Sequence, residues 1–435
     1  MTATATDRTA YINARLIDPA SGLDATGSVL IEGNKILDVG PDLFLDDVPD
    51  GVGTVDCRGY CLAPGLIDMR VHLPEPGDEH KESFESASAA AAAGGVTSIV
   101  CLPETDPTID DVSVVEFFAR RARETNIVKI YAHAAVTRGR VGKELTELGI
   151  LSEAGALAFT DGDTPVADAL VMRRALSYAA TFGLLIIQRP EEPRLARNGQ
   201  MNEGEMSTRL GLAGIPAVAE VMMLERDLRL VELTGARYHA ANVSTAAAVD
   251  AIRNAKAKGL AVTCDTAPQY FTLNDTAVMD YRTFTKVSPP LRNEADRLAV
   301  VDGIKDGTID VIASDHRPQD QDSKRLPYLQ AETGIVGLET LLPLTLMMGA
   351  GTGIGMLDLL KRLTLAPADL LGMKEGRLAT GLPADFTIFD PDCEWVVDAD
   401  KLQSKSKNTP FDEMRVTGMP ICTVVGGRHV YSQLD

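Results

Sequence analysis

The chain has 435 residues, of which 45% are hydrophobic and 24% charged, and its formal net charge is −20. This length and composition fit a globular protein with one large and one smaller domain. The negative charge argues against nucleic-acid binding, because a phosphate backbone would be repelled. No apolar stretch reaches the roughly 18 residues of a membrane span, so we expect no membrane association.

The N-terminus and the cysteines indicate a cytoplasmic protein. Residues 1–19 lack a basic region followed by an apolar run, so we expect no secretory signal. The cysteines lie far apart, and no second close pair completes a zinc-ligand set. We predict buried free thiols, as in a reducing compartment. These cysteines are Cys57, Cys61, Cys101, Cys264, Cys393 and Cys422.

Both ends of the chain have the pattern of short strands and turns. In the first sixty residues, Gly33-Asn34 separates two strand-like runs, which is a hairpin signal. In the last sixty, Gly426-Gly427 again lies between β-rich runs. We predict that the two ends pair into one small β-domain.

Between these ends, apolar β-rich runs alternate with helix-like segments. One helix-like segment is Ala-rich and stops at Gly94-Gly95. Residues 190–216 and 317–332 are polar and predict long loops. Eight alternating runs predict a (β/α)8 barrel. The runs are GLIDMRVHL, VTSIVCLPE, VKIYAHAAV, GALAFTD, GLLIIQRP, ARYHAANVS, LAVTCDTAPQY and DVIASDH.

Polar side chains end each of these runs, where the loops of such a barrel build an active site. Any single one of them fits a solvated strand end. The whole set predicts a functional or formerly functional pocket, because a packed barrel does not need it. The set is Arg70, His72, Glu104, His133, Asp161, Asp163, Gln188, Arg189, His239, Asn242, Gln269, Asp315 and His316.

Several motifs are similar to those of dihydroorotases, of the amidohydrolase superfamily. They include GLIDMRVHLPEPGDEHKE, VSPPLRNEADR, DGTIDVIASDHRP and GRLATGLPADFTIFDPD, and the resemblance covers nearly the whole chain. It implies an α/β fold with a TIM-type barrel over residues 63–372 and a β-sandwich from residues 1–62 and 373–435. It also implies cyclic-amide hydrolysis, which interconverts dihydroorotate and carbamoyl-aspartate with metal-bound hydroxide.

Compared with that family position by position, most metal ligands are missing. Arginine offers only donors and cannot ligate a metal, and asparagine is a poor zinc ligand. We therefore expect no metal, no cofactor and no catalytic residue. The replaced positions are Arg70, Arg189 and Asn242. The remnants are His72, Asp161 and Asp315, with the choice between Asp161 and Asp163 left open.

Substrate-binding positions differ as well. A family arginine aligns with Pro74, and a family asparagine aligns with Glu104, whose carboxylate would repel an anionic substrate. Because stranded carboxylates are costly to bury, we expect Arg70 and Arg189 to face Asp161 and Asp315 in place of metals.

Three functions remain open, and the first is the main prediction. It is a catalytically inactive, metal-free homo-oligomer that acts as structural partner of the aspartate carbamoyltransferase catalytic chain, like dihydroorotase-like chains of some bacteria. The second is an active dihydroorotase, or another cyclic amidohydrolase, with an atypical zinc site. That site would use His72 and Asp315 with His133, His239 or His316. The third is a sensor that holds an anionic ligand on Arg70 and Arg189.

Overall fold

A computed structural model of the chain describes residues 8–44, 47–125 and 127–434. The prediction of no secretory signal concerned residues 1–19, and the first seven of these lie outside the described ranges. Within the described ranges, none of the helices combines the length and the apolar character that a membrane crossing requires.

The strands fall into two groups, one from the chain ends and one from the middle. The end strands are β1 (Arg8–Asp18), β2 (Leu23–Glu32), β3 (Lys35–Gly40), β4 (Gly53–Asp56), β5 (Cys61–Pro64), β15 (Phe386–Val396), β16 (Arg415–Val425) and β17 (Arg428–Ser432). The middle strands are β6 (Leu66–Val71), β7 (Val96–Cys101), β8 (Lys129–Ala132), β9 (Leu185–Gln188), β10 (Met201–Asn202), β11 (Gly214–Ile215), β12 (Arg237–Ala240), β13 (Val262–Thr266) and β14 (Val311–Ile312).

The helices lie between and after the middle strands. They are α1 (Phe84–Ala93), α2 (Val112–Thr125), α3 (Leu148–Glu153), α4 (Ala169–Phe182), α5 (Pro193–Ala196), α6 (Glu205–Leu210), α7 (Val218–Thr234), α8 (Ala246–Ala257), α9 (Pro268–Thr272), α10 (Glu294–Lys305), α11 (Gln321–Lys324), α12 (Leu341–Thr352), α13 (Met356–Leu363) and α14 (Leu365–Leu371). Short 3-10 helices span Arg138–Arg140, Asp275–Tyr281, Thr283–Thr285 and Ala399–Lys401.

The two chain ends pair into one β-domain, as predicted, and its strands belong to a single eight-stranded sheet. Its strand order is β17-β16-β15-β5-β1-β2-β3, with β4 paired to β1. The two halves meet where β15 runs antiparallel to β5. The expected hairpins form at Gly33-Asn34, between β2 and β3, and at Gly426-Gly427, between β16 and β17. Strand pairing does not define domain limits, so residues 1–62, 63–372 and 373–435 stay predicted boundaries.

The middle strands close into a parallel barrel, and the predicted (β/α)8 fold is confirmed. The groups β6-β7-β8 and β9-β12-β13-β14 are hydrogen-bonded ladders. Phe159 bridges Ala134 on one side and Ile186 on the other, so its segment fills the fourth position. Val71 bridges His316 and closes the ring. Apolar side chains such as Met69, Val100 and Ile187 fill a buried cluster formed by these strands.

The regions predicted as long loops are more ordered than expected. Residues 190–216 contain α5, α6 and the paired strands β10 and β11. Residues 317–332 contain α11. Local caps explain part of this order: the Glu192 side chain accepts the Leu195 N–H, and the Asp320 side chain accepts the Ser323 N–H.

The connection between β15 and β16 reaches the barrel loops. Ser404 donates its hydroxyl to Glu82, and its backbone N–H lies 3.1 Å from Glu339 Oε1. Asn408 Nδ2 donates to the carbonyls of Arg317 and Gly334 at 3.0 Å each. The sheet built from the chain ends therefore holds the loop that follows the eighth barrel strand.

The cysteines follow the prediction of free thiols. Cys57, Cys61, Cys101, Cys264 and Cys422 are buried, and Cys393 is partly exposed. All six are free.

The turn after β16 packs against the turn after β2, which allows a stability prediction. Gly427 has φ +75°, and a Cβ there would lie 2.0 Å from the Gly33 carbonyl oxygen. We expect Gly427→Ala to lower the free energy of unfolding by about 3 kcal/mol, as measured by urea denaturation. The loss would come from backbone strain and from the clash between the new Cβ and the Gly33 carbonyl oxygen. Gly22→Ala is the control, since Gly22 has φ +73° but nothing within 4 Å. It should cost about 1 kcal/mol. Equal losses would contradict the close approach of the two turns.

Candidate active site

Arg70 lies at the end of the first barrel strand and is only 2% exposed. Its Nε donates to Asp315 Oδ1 at 2.9 Å, and its Nη2 donates to Asp163 Oδ1 at 2.6 Å. An arginine buried this deeply needs such partners, because an unpaired charge in the interior is costly. The buried guanidinium of Arg70 thus joins two carboxylates.

Asp163 is the centre of a wider ion-pair network. Its Oδ2 lies 2.8 Å from Arg317 Nη2, and its Oδ1 lies 3.6 Å from Arg189 Nε. Arg189 also donates from Nη2 to the Asp163 carbonyl at 2.6 Å. The Asp163 side chain is 21% exposed, so the network extends from the buried Arg70 towards solvent.

Glu104, after the second barrel strand, pairs with two further cations of the network, Arg317 and Arg140. Its carboxylate accepts from Arg317 and, at 3.0 Å, from Arg140 Nη1. His72 Nδ1 lies 3.1 Å from Glu104 Oε2. The remnant histidine is therefore held by the carboxylate that we expected to repel substrate.

The formal charges of the network cancel. Four guanidinium groups face four carboxylates, so the network as a whole attracts neither anions nor cations strongly. The cations are Arg70, Arg140, Arg189 and Arg317, and the anions are Glu104, Asp163, Glu191 and Asp315.

The expected pairing of the arginines with Asp161 is wrong. Asp161 accepts the Thr137 backbone N–H at 2.9 Å and also the Thr137 hydroxyl. The chain then turns at Gly162, with φ +66°, and Glu104 Oε1 accepts the Asp163 N–H at 2.8 Å. This turn brings Asp163, and not Asp161, to Arg70.

Burial and charge move the pKa values of the site in opposite directions. Burial raises the pKa of Asp315, although Arg70 opposes the shift. Burial would also raise the pKa of Glu104, but Arg317 and His72 hold it well below its usual range. Burial, and then Arg317, lowers the pKa of His72. A carboxyl with a raised pKa inside a barrel mouth is a candidate proton carrier, so Asp315 fits that role.

Asn242 and Gln269 lie beside Asp315 on neighbouring strand ends. Gln269 Nε2 donates to Asp315 Oδ2 at 3.1 Å. The Asn242 amide lies close enough to lower the pKa of Asp315 slightly, but no hydrogen bond of normal geometry joins them. The Asn242 backbone N–H donates to Asp265 Oδ1 at 2.6 Å.

The other predicted histidines are not brought together with His72. His133 donates to the Met69 carbonyl at 3.0 Å, and burial lowers its pKa to about 4. His239 Nε2 lies 3.0 Å from Asp265 Oδ2.

The remaining predicted positions serve the fold around the site. His316 Nδ1 accepts the Gly337 N–H at 3.2 Å. Gln188 Nε2 donates to Asp227 at 2.8 Å. Pro74 accepts the Asp78 N–H at 2.7 Å.

The residues present do not fit the metal centre that the family resemblance implies. Arg70, Arg189 and Asn242 stand at ligand positions, and Arg70 occupies the carboxylates of Asp163 and Asp315. In the described part of the chain, no group of three or more His, Cys, Asp and Glu side chains is arranged to hold a metal ion. A zinc site needs such a donor set.

Three members of the network are missing from the set of strand-end residues, namely Arg140, Glu191 and Arg317. Arg317 directly follows His316 and could have been included by extending the eighth run by one residue. Arg140 comes from the 3-10 helix Arg138–Arg140 in a loop, and no local pattern in the sequence marks it.

Comparison with known proteins first defines a class. Residues 203–430 match the amidohydrolase family model. The L-hydantoinase (dihydropyrimidinase) from Arthrobacter aurescens superposes with a TM-score of 0.85 and 25% identity, over 99% of this chain and 97% of that one. A dihydropyrimidinase from Brevibacillus agri NCHU1002 also gives 0.85 and 25%, over 98% and 96%. The fold is that of an amidohydrolase.

The nearer resemblance is to one family within that class. Residues 59–248 match the dihydro-orotase-like family model. A dihydroorotase from Anaplasma phagocytophilum (strain HZ) is 46% identical, over 97% of this chain and 95% of that protein. One from Pelobacter propionicus (strain DSM 2379 / NBRC 103807 / OttBd1) is 46% identical, over 96% and 98%. The chain belongs to the dihydroorotase family.

These relatives contradict the main functional prediction. We expected an inactive structural partner of aspartate carbamoyltransferase. The proteins that match almost the whole chain are instead named dihydroorotase. They support the second alternative in its prediction of an active dihydroorotase, although the described residues do not supply the zinc site that it also predicted. Missing metal ligands did not justify the prediction of an inactive protein, because their loss does not by itself abolish acid-base chemistry at Asp315. Association with the carbamoyltransferase chain and self-association stay predictions.

Proposed function

We propose that this protein is a hydrolase of the dihydroorotase type that opens or closes a cyclic amide at the barrel mouth. The observation that carries the proposal is the 46% identity to proteins named dihydroorotase over nearly the full length. The chemistry is the addition of water to a ring carbonyl, or its reversal. The substrate pair is dihydroorotate and carbamoyl-aspartate.

Asp315 is the residue that can move the proton. Each of its carboxylate oxygens accepts one hydrogen bond, from Arg70 or from Gln269, and an ionised carboxylate can accept more. In ring opening, the water oxygen bonds to the carbonyl carbon and Asp315 takes the water proton. The ring C–N bond then breaks, and Asp315 returns the proton to the leaving nitrogen.

Arg70 stabilises the charge that develops in this reaction. Its Nη1 is not used by Asp163 or Asp315 and has no hydrogen-bond partner among the described residues. A guanidinium N–H near the reacting carbonyl would stabilise the oxyanion, since such donors act strongly in a site that excludes water. No step of this scheme uses a metal ion, because the residues present do not fit one.

The test is turnover by the purified full chain. Dihydroorotate and carbamoyl-aspartate are supplied separately, and the interconversion is followed chromatographically, with chelator and with added zinc in parallel. We expect conversion towards the same equilibrium mixture from both sides. Folded protein that converts neither compound under either condition would contradict the proposal.

A further inference from the structure

Three side chains around Asp315 keep polar atoms without partners. Asn242 has neither amide atom hydrogen-bonded within the described part of the protein, and the same holds for Gln269 Oε1 and Arg70 Nη1. All three residues are at most 2% exposed. Buried polar groups are normally paired, because each unpaired one costs about 1–3 kcal/mol. Four such atoms belong to the three side chains around Asp315.

The backbone is strained at the same place. Asn242 has φ +55° and Asp315 has φ +53°, although neither is glycine. Such conformations are uncommon and cluster at binding and catalytic sites. Both residues follow barrel strands, β12 and β14, so the strain sets the direction of two side chains at one mouth.

The unpaired atoms have the chemistry of a ring-amide edge. A primary carboxamide presents a carbonyl oxygen and an N–H side by side. A small-ring amide is forced into the cis form, so its N–H and C=O also lie side by side. The two edges pair through two hydrogen bonds, as asparagine does with an adenine edge. An open-chain secondary amide is almost always trans and cannot present both groups to one partner.

We propose that Asn242 recognises the substrate by pairing its carboxamide with a cis N–H/C=O edge of the ring. Asn242 Oδ1 accepts the ring N–H, and Nδ2 donates to the ring carbonyl. Gln269 Oε1 accepts a second ring N–H, and Arg70 Nη1 donates to a second ring C=O. The substrate class is then a cyclic ureide with unsubstituted nitrogens.

This inference rests on the proposed function, and it explains why a net-neutral ion-pair network suits the site. The carboxamides of Asn242 and Gln269 are neutral, so their contacts to the ring need no excess cation.

Ring binding by orotate tests the pairing, because orotate carries the same two N–H/C=O units. Calorimetric titration is done with orotate and with its two ring-N-methylated derivatives. The variant is Asn242→Gly, which removes the side chain and tolerates φ +55°. Asn254→Ala, on the outer face of α8, is the control.

We expect Asn242→Gly to weaken orotate binding about tenfold or more, and Asn254→Ala to leave it unchanged. Methylation of one ring nitrogen should weaken binding to the unmodified protein by a similar factor and add little in Asn242→Gly. The pairing is overturned if both methylated rings bind as well as orotate, if Asn242→Gly binds normally, or if orotate does not bind at all.

Failure of this inference can be told apart from failure of the proposed function. If the protein turns over its substrate but binds orotate and its methylated derivatives equally well, only the Asn242 pairing is overturned. The methylation response without turnover of either compound overturns only the hydrolase.

Discussion

Arg70→Met should lower the free energy of unfolding by about 3–5 kcal/mol, because it leaves two buried or half-buried carboxylates without their shared cation. Arg70 is itself 2% exposed and pairs with Asp163 and Asp315. The loss should be larger at pH 8 than at pH 5. Without the guanidinium, the pKa of Asp315 rises further in the folded state, and the destabilisation from a raised carboxyl pKa is complete only above that folded-state pKa.

Urea denaturation measures this loss, and Arg253→Met is the matched control. Arg253 also bridges two carboxylates, Asp250 and Asp306, but it is 42% exposed. Its removal should cost less than about 1 kcal/mol. The double variant Arg70→Met with Asp315→Asn should recover part of the loss, since one stranded charge is gone. Equal losses for the two arginines would show that Arg70 is not buried as described.

Asp315→Asn should reduce the turnover of dihydroorotate by about 10²- to 10⁴-fold, because an amide cannot accept the water proton. In the unmodified protein, ring opening should decline as pH falls through the raised pKa of Asp315, since the protonated carboxyl cannot act as a base. The measurement is the initial rate of ring opening across a pH series. The variant should lose this pH dependence along with its rate.

Two controls separate chemistry from folding. Asp302→Asn changes an exposed carboxylate on α10 and should keep full turnover. Orotate affinity of Asp315→Asn reports whether the pocket still forms. An Asp315→Asn protein with normal turnover would rule out Asp315 as the proton carrier.

The barrel was predictable because its signal is repeated. Each of the eight runs is apolar and ends in polar residues, so one member with a weak strand pattern does not change the fold prediction. The fourth run is such a member, since GALAFTD forms only the isolated bridges of Phe159. The order inside residues 190–216 was not predictable, because α5, α6 and two-residue strands are too short for a periodic pattern.

The site was predictable in its positions but not in its pairings. Arg70 and Asp315 follow from strand ends, and the structure joins them. The choice of Asp163 over Asp161 depends on the turn at Gly162, which places one carboxylate inward and gives the other to Thr137. The sequence Asp161-Gly162-Asp163 alone cannot indicate which carboxylate turns inward.

The contacts of Ser404 and Asn408 with the barrel loops tie the terminal sheet to the barrel mouth. Asn408 holds the backbone of Arg317, a member of the ion-pair network, yet it arises from a connection within the terminal sheet. The last sixty residues must therefore be synthesised and folded before the barrel mouth acquires its final shape. We expect the barrel mouth to take its final shape late in folding, only when both chain ends have paired.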